Sequence, residues 1–201
     1  SFLSTQSFRN QIEIMNPQLS NLLLVLGIVQ IARKLDLENP EVVIYVRLGY
    51  LAAQTVILVV CYLVANKIKE RNDTTTLKYV EPAKLFTNEQ PKLVDTNNKD
   101  YDLSKVRELL KQTLMGFVLM MVLHFYWNFT QPLFIQSIIP LKNVFYNKVV
   151  QIHLFGKPAE GDLKRPFKES PLGFSAAQQP QTDKAAIKKA AKASKSGEKD
   201  D

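Results

Sequence analysis

Apolar and polar stretches alternate along this chain of 201 residues. The apolar blocks cover residues 19–32, 42–65 and 113–141, and charged, polar stretches separate them. As a helix, the 23 residues from Val42 to Val64 can cross the ~30 Å hydrocarbon core of a bilayer. A single soluble core does not account for this alternation. The pattern therefore predicts an all-α integral membrane protein with about three to four membrane-embedded helices, some of them short or re-entrant.

The first apolar run, Leu19 to Ala32, has only about 14 residues, which is short for a span. Asn39-Pro40 is a turn and helix-start signal, and Glu41 suits the first turn of a helix. We therefore expect a helical membrane hairpin over residues 15–66, with its turn at Leu35 to Pro40. A membrane helix in locally thinned bilayer and a re-entrant segment are the alternatives.

A polar segment follows the long apolar run. The basic residues Lys67, Lys69 and Arg71 come directly after it, and the positive-inside rule assigns such residues to the cytoplasm. Residues 67–101 also contain prolines and scattered charges, with little apolar periodicity. They are therefore predicted to form a cytosolic loop.

A second helical region is predicted over residues 102–150. Asp102 or Ser104 can cap an amphipathic helix here, because apolar residues recur at three-to-four spacing as far as Leu114. That helix continues into a membrane span from Leu114 to Phe129, which ends in aromatic residues typical of a membrane interface. The remainder is expected to form a short, Pro140-kinked helix that returns to the starting side or lies in the interface.

The net charge is +7, and most of the excess lies in residues 142–201. Residues 151–201 are expected to form a basic cytosolic tail, partly disordered, and residues 1–14 an N-terminal extension. A basic tail beside a membrane favours contact with anionic lipid headgroups or with RNA, including ribosomal RNA. A solvated Lys-rich tail is the alternative. The candidate contact residues are Lys164, Arg165, Lys168, Lys188, Lys189 and Lys192.

Little in the sequence favours an enzyme. His124 lies inside an apolar run and His153 in a polar segment, and there is no nucleophile elbow, phosphate loop or metal-ligand spacing. Cys61 is the single cysteine, which excludes a disulfide within the chain. Both histidines are interpreted as packing or surface residues, and no catalytic residue, metal site or cofactor is expected.

Arg47 is the most informative residue, because a charged side chain inside an apolar run is costly. One interpretation is structural: the side chain snorkels to the nearer interface or pairs with a nearby acidic residue. The other is functional, with Arg47 in a hydrated recess that opens toward the cytoplasm. The residues expected to line that recess are Gln30, Arg33, Arg47 and Gln54.

Five motifs, in order along the chain, resemble the fungal SRP-independent targeting protein 3 family. They are MNPQ at 15–18, NDTTTLKYVEP at 72–82, DYDL at 100–103, QPLFIQSIIPLK at 131–142 and IHLFGKPAEGDLKRPFK at 152–168. The family was historically described as an inorganic phosphate transport protein. The resemblance implies a multi-pass protein of the endoplasmic reticulum membrane that delivers membrane proteins independently of the signal recognition particle. It also implies partners, namely the Sec61 translocon and the other targeting components of this SND pathway.

These observations lead to a hypothesis of client insertion. An insertase lowers the cost of moving polar backbone and chain termini through hydrocarbon, and short helices and a hydrophilic groove both do so. The expected partners are then client membrane proteins, membrane lipids and the translocon. One alternative is a translocon or ribosome scaffold without a groove. A less favoured one is an anion carrier with Arg33 and Arg47 as its phosphate site.

Overall fold

The computed structural model describes residues 17–81, 91–168, 180, 182–183 and 187–188. The predicted N-terminal extension and most of the predicted tail beyond Lys168 lie outside the described residues. Helices dominate the described part, and one pair of strands interrupts them. The elements in chain order are α1 (Pro17–Lys34), α2 (Pro40–Arg71), β1 (Thr76–Glu81), β2 (Lys92–Asn97), α3 (Asn98–Trp127), α4 (Gln131–Tyr146), α5 (Lys148–His153) and a 3-10 helix at Gly161–Leu163.

A short turn joins α1 to α2. The last turn of α1 carries Arg33 and Lys34, and cations are favourable at the carboxyl end of a helix. At the start of α2, the Asn39 side-chain oxygen accepts the backbone N–H of Glu41 at 3.0 Å. Pro40 is the first helical residue, where its fixed φ is already helical and its missing N–H has no partner to lose.

Two of the described helices, α2 and α3, are long and apolar enough to cross a membrane. They have 32 and 30 residues, whereas α1 has 18 and α4 has 16. Large apolar side chains are exposed along both, which water would disfavour. The prediction of a mostly helical chain is confirmed. The described part contains two candidate spans where about three to four membrane-embedded helices were predicted.

The all-α prediction is wrong between α2 and α3, where the predicted loop contains an antiparallel strand pair. Thr76 pairs with Asn97, and Glu81 pairs with Lys92. In β1 the exposed Lys78 precedes the buried Tyr79, and Lys78 forms a 2.7 Å ion pair with Asp95 directly across the pair. Burial of Tyr79 and Val80 and a cross-strand charge pair are the features that stabilise two short strands here.

α3 begins at Asn98, before the predicted start at Asp102. The Asn97 side-chain oxygen accepts the backbone N–H of Asp100 at 2.8 Å, so Asn97 caps the helix. Asp102 lies inside the first turns and is only 1% exposed, and the Ser104 hydroxyl donates to the Tyr101 carbonyl. The predicted cap by Asp102 or Ser104 is therefore wrong.

Pro140 lies inside a single helix, as the prediction of a short, Pro140-kinked helix requires. α4 continues through Pro140 to Tyr146, and the chain leaves the helix at Asn147. The Asn147 side-chain oxygen accepts the backbone N–H of Val149 at 3.1 Å and so starts α5. The break thus follows the capping residue rather than the proline.

Two compact units divide the chain. Unit 1 comprises Ser1–Gln54 and Val118–Pro140, and unit 2 comprises Thr55–Phe117 and Leu141–Asp201. Unit 2 has an apolar core with contributions from α2, the strand pair, α3, α4, α5 and the segment that follows. Its buried members include Ile57, Val64, Ile68, Tyr79, Tyr101, Val106, Val144, Val150, Ile152 and Phe167.

Candidate functional site

A hydrogen bond between two charged or titratable side chains joins the candidate spans in unit 1. Arg47 of α2 donates from Nε to His124 Nε2 of α3 at 2.9 Å. His124 is only 3% exposed. Since Nε2 accepts a hydrogen bond, the ring proton of the neutral imidazole is on Nδ1, which lies 3.2 Å from the Phe129 carbonyl oxygen and donates to it. The two contacts together fix the tautomer and the ring orientation.

The Arg47 guanidinium also faces an aromatic ring. Its central carbon lies 5.9 Å from the centroid of Phe125, which is within the range of a cation–π interaction. Arg47 lies near the amino end of α2, while His124 and Phe125 lie near the carboxyl end of α3. The contact therefore joins the amino-terminal part of α2 to the carboxyl-terminal part of α3.

Polar side chains continue from Arg47 along the same face of α2. Tyr50 and Gln54 follow at spacings of three and seven residues, which bring them to one helix face over about 10 Å. Tyr50 is 1% exposed and hydrogen-bonds to the Gln54 side chain. Arg47, Tyr50, Gln54 and His124 are called the polar column below.

The Gln54 side-chain oxygen is buried and has no hydrogen-bond donor among the described residues. A buried acceptor without a donor costs about 1–3 kcal/mol. Gln54 is therefore the member of the polar column with an unsatisfied acceptor, and it lies deeper in the apolar run than Arg47. Such exceptions often mark functional positions.

The four residues predicted to line a recess have different surroundings. Arg47 and Gln54 share a face of α2, but Gln54 is buried. Gln30 and Arg33 are exposed on α1, and in the described part no hydrogen bond or ion pair joins them to the column. A common groove of all four residues stays a prediction.

The direction of α2 bears on which side the polar column faces. Arg47 precedes Arg71 by 24 residues in the same helix, which is about 36 Å along the axis. If the basic end of α2 is cytosolic, as the positive-inside rule indicates, Arg47 lies near the opposite surface of the bilayer. That topology does not favour a cytosolic opening of the recess, and the opening stays a prediction.

A second group of charged side chains lies inside unit 2. Asp102 accepts hydrogen bonds from Arg165, with Nε to Oδ1 at 2.8 Å and Nη2 to Oδ2 at 2.5 Å. His153 Nε2 lies 2.6 Å from the same Oδ2. The Asp102, His153 and Arg165 side chains are at most 9% exposed. These three residues are called the Asp102 cluster.

The charges of the Asp102 cluster are balanced internally. Burial alone lowers the pKa of Arg165, but the hydrogen bonds and charge of Asp102 outweigh it and raise that pKa. The arginine therefore stays charged beside the carboxylate. An acid–histidine pair is also part of catalytic triads. Here, however, Arg165 binds both oxygens of the acid, which favours a structural role.

Tyr101, which precedes Asp102, also contacts the segment that contains Arg165. The Tyr101 hydroxyl accepts the backbone N–H of Phe167 at 2.7 Å, and the Tyr101 and Phe167 rings lie 5.3 Å apart. His153, Arg165 and Phe167 all belong to the motif at 152–168. The contacts of this motif with Asp102 and Tyr101 give a physical reason for the presence of these three residues in it.

The predicted basic contact residues divide into three groups. Lys164 and Lys168 are exposed, and so is Lys188. Arg165 is instead buried against Asp102, so its guanidinium does not fit the predicted role of an exposed contact. Lys189 and Lys192 lie outside the described residues. Contact of the exposed lysines with lipid or RNA stays a prediction.

The sequence did not predict the contacts that His124, Asp102 and Tyr101 make with distant parts of the chain. For His124 the sequence contained a signal. Like Arg47, it is a polar residue inside an apolar run, where such residues are costly. Among the described residues, no group of three or more His, Cys, Asp or Glu side chains could hold a metal ion.

Comparisons with known proteins give a consistent result. A family model described as phosphate transport (Pho88) matches residues 15–198. SRP-independent targeting protein 3 of Saccharomyces cerevisiae is 40% identical over 186 residues, which cover 92% of this chain and 99% of that protein. Its homolog in Schizosaccharomyces pombe is 34% identical over 176 residues, covering 87% of this chain and 91% of the homolog. No solved structure matches the chain.

Proposed function

The chain belongs to the Pho88 family of SRP-independent targeting proteins, and we propose that it is a membrane protein of the endoplasmic reticulum that helps to deliver other membrane proteins. The names of its relatives support a role in SRP-independent targeting. The two candidate spans and their exposed apolar side chains support a place in the bilayer.

The observation that carries the proposal further is the Arg47–His124 hydrogen bond between α2 and α3. A charged or titratable side chain at membrane depth is costly, and it is retained mainly where it serves a polar path or a binding site. Here two such residues meet, and the column continues to the buried oxygen of Gln54. A polar strip between two candidate spans supports an insertase-like activity.

The proposed mechanism is a reduction of the hydrocarbon barrier. A client segment with polar flanks must carry unsatisfied backbone and charged groups through lipid, at several kcal/mol for each unsatisfied group. The polar column extends over about 10 Å of α2, with the exposed Arg47 at one end and the buried Gln54 oxygen, which lacks a donor, at the other. The client's polar flank then crosses a shorter apolar stretch while its apolar helix moves into lipid.

Partners follow from the same proposal. The Sec61 translocon, the other components of the SND pathway and the ribosome are the expected neighbours, with the basic end of α2 and the exposed Lys164 and Lys168 on the cytosolic side. The basic residues suit the phosphates of lipid headgroups or ribosomal RNA. A scaffold that holds these partners without touching a client is the alternative.

Anion transport is the activity that the family description names. A gated path across a bilayer is usually built from many helices arranged as repeats. The described part of this chain has two helices long enough to span. We therefore favour targeting over transport.

Site-specific photocrosslinking tests the proposal. A photoreactive amino acid is placed singly at positions 30, 33 and 47 in native membranes that contain a radiolabelled, ribosome-stalled membrane-protein client. Tyr45 is the matched control, because it is 74% exposed and lies at a similar depth on the opposite face of α2. Val59, 50% exposed and apolar, is a second control.

Client crosslinks from positions 30, 33 and 47, with none from the two control positions, are expected for an insertase-like factor. Crosslinks from the same positions to partner subunits alone identify a scaffold and exclude the groove. Equal client crosslinking from Tyr45 and Val59 shows that the client touches the protein without selection and also excludes it.

A further inference from the structure

The positive charge of Arg47 has no anionic partner within the described residues. Its contacts there are the neutral His124 ring and the Phe125 ring. No ion pair of the described part joins Arg47 to a carboxylate, although the sequence offered Asp36, Glu38 and Glu41 at short range. An arginine near lipid without a counter-ion is costly, so an anion from outside the chain would be stabilising.

The guanidinium keeps donors for such an anion. The Nε hydrogen bond to His124 uses one of five N–H groups, and the Phe125 ring lies against the central carbon. The two terminal nitrogens keep their N–H groups, and a pair of parallel N–H groups matches two oxygens of a phosphate. The residue as a whole is exposed, so an anion can reach it.

The depth of the pair selects the anion. Tyr126 and Trp127 end α3 and are 77% and 52% exposed, and aromatic residues of this kind mark the level of lipid headgroups. His124 lies three residues before Trp127, which is about 4.5 Å along the helix axis. The anion most abundant at that depth is the phosphate group of phospholipids.

We propose that Arg47, positioned by His124, binds the phosphate group of a phospholipid headgroup. The proposal rests on the membrane placement proposed above, but it does not need a client or a translocon. His124 acts as a positioning residue, because it touches Arg47 and not the phosphate. The polar column would then hold a lipid headgroup below its ordinary level and thin the leaflet beside α2 and α3.

Native mass spectrometry of the full chain in detergent micelles tests the lipid site. The probes are dioleoylphosphatidylglycerol and dioleoylglycerol, which share acyl chains and differ in the phosphate. Wild type is expected to bind the phospholipid and not the diacylglycerol. Arg47→Gln should lower phospholipid occupancy roughly tenfold, as expected when a charge-assisted bidentate contact is lost. Lys34→Gln, which removes an exposed charge at the same end of the α1–α2 pair, should leave occupancy unchanged.

Two variants at position 124 separate positioning from general damage. His124→Phe removes the acceptor for Arg47 and should lower phospholipid occupancy, whereas His124→Gln keeps a side-chain acceptor and should restore part of it. Circular dichroism of each variant confirms that its helix content equals that of wild type. Equal occupancy in wild type, Arg47→Gln and His124→Phe overturns the proposal.

A second experiment adds inorganic phosphate, because the Arg47 guanidinium could also bind the free ion. Millimolar phosphate that leaves phospholipid occupancy unchanged supports the lipid source. Phosphate binding that depends on Arg47 without any phospholipid binding overturns it. A failed client crosslink with intact phospholipid binding rejects the proposed function alone, so the two proposals fail separately.

Discussion

Asp102 and His153 lie 2.6 Å apart in the interior of unit 2, although 51 positions separate them in the chain. Arg165, another 12 positions on, binds both oxygens of the same carboxylate. One acidic side chain on α3 thus attaches α5 and the segment after it. A buried charge that loses its partner is far more costly than a surface one.

Asp102→Asn should therefore destabilise unit 2 by about 3–5 kcal/mol, since it leaves Arg165 buried without a counter-charge. Thermal unfolding of the full chain in detergent measures the change. Asp95→Asn is the matched control, because it also removes one acid from an ion pair but at an exposed site, where the loss should be about 1 kcal/mol or less. Equal losses in the two variants would contradict the assignment of Asp102 to the core.

Tyr101→Phe tests the hydrogen bond from the Phe167 N–H to the Tyr101 hydroxyl. The variant keeps the ring packed against Phe167 but leaves the buried Phe167 N–H without an acceptor, which should cost about 1–3 kcal/mol. Tyr62→Phe, at a 67% exposed tyrosine, serves as the control with no expected change. Hydrogen exchange at the Phe167 amide gives a direct measurement: exchange as slow as in wild type would refute the contact.

Asp73 should make the stability of unit 2 depend on pH in the acid range. Hydrogen bonds from the Thr75 hydroxyl and the Asn98 amide lower the pKa of Asp73 from 3.8 to about 2, despite partial burial. Its folded pKa lies below its unfolded pKa, so its contribution is complete above about pH 4 and is lost as pH falls through about 2.

In the measurement, unfolding temperatures of wild type and Asp73→Asn are compared between pH 5 and pH 2. The variant should lose part of the decrease that wild type shows in this window. Identical pH profiles would mean that Asp73 is not stabilised as an anion.

Leu119→Asp tests whether α3 faces lipid. Leu119 is 55% exposed on a candidate span, and a carboxylate in the middle of a membrane helix costs roughly 2.5–3.5 kcal/mol. The variant should appear in the alkaline-extractable fraction of membranes, whereas wild type stays in the pellet. Gln112→Asp, exposed on the more polar half of the same helix, should behave as wild type. Full retention of Leu119→Asp in the pellet would speak against lipid contact.

The sequence predicted the helical parts well, because apolar runs of sufficient length carry their own signal. It also singled out Arg47 as a charged residue inside an apolar run, and in the structure this residue donates to His124. The partner itself could not be predicted, since His124 lies 77 positions away and sequence patterns report only neighbours. The sequence pattern points instead to a nearby carboxylate as the partner of Arg47.

The errors have the same physical origin. Asp102 and Ser104 looked like a helix cap because both residue types cap helices, but the helix was already capped by Asn97 and the acid was needed inside. The segment that contains the strand pair has prolines, scattered charges and little apolar periodicity, so its sequence favours a loop. The strand β1 depends on its partner strand, where Asp95 lies opposite Lys78 and 17 residues later in the chain. Long-range pairing is the information that local patterns lack.

The position of Arg165 also has a consequence in time. Synthesis proceeds from the amino end, and domains generally fold as units. When Asp102 is added to the chain, 51 and 63 further residues must be added to reach His153 and Arg165. The Asp102 cluster therefore forms only after the residues of both candidate spans have been translated.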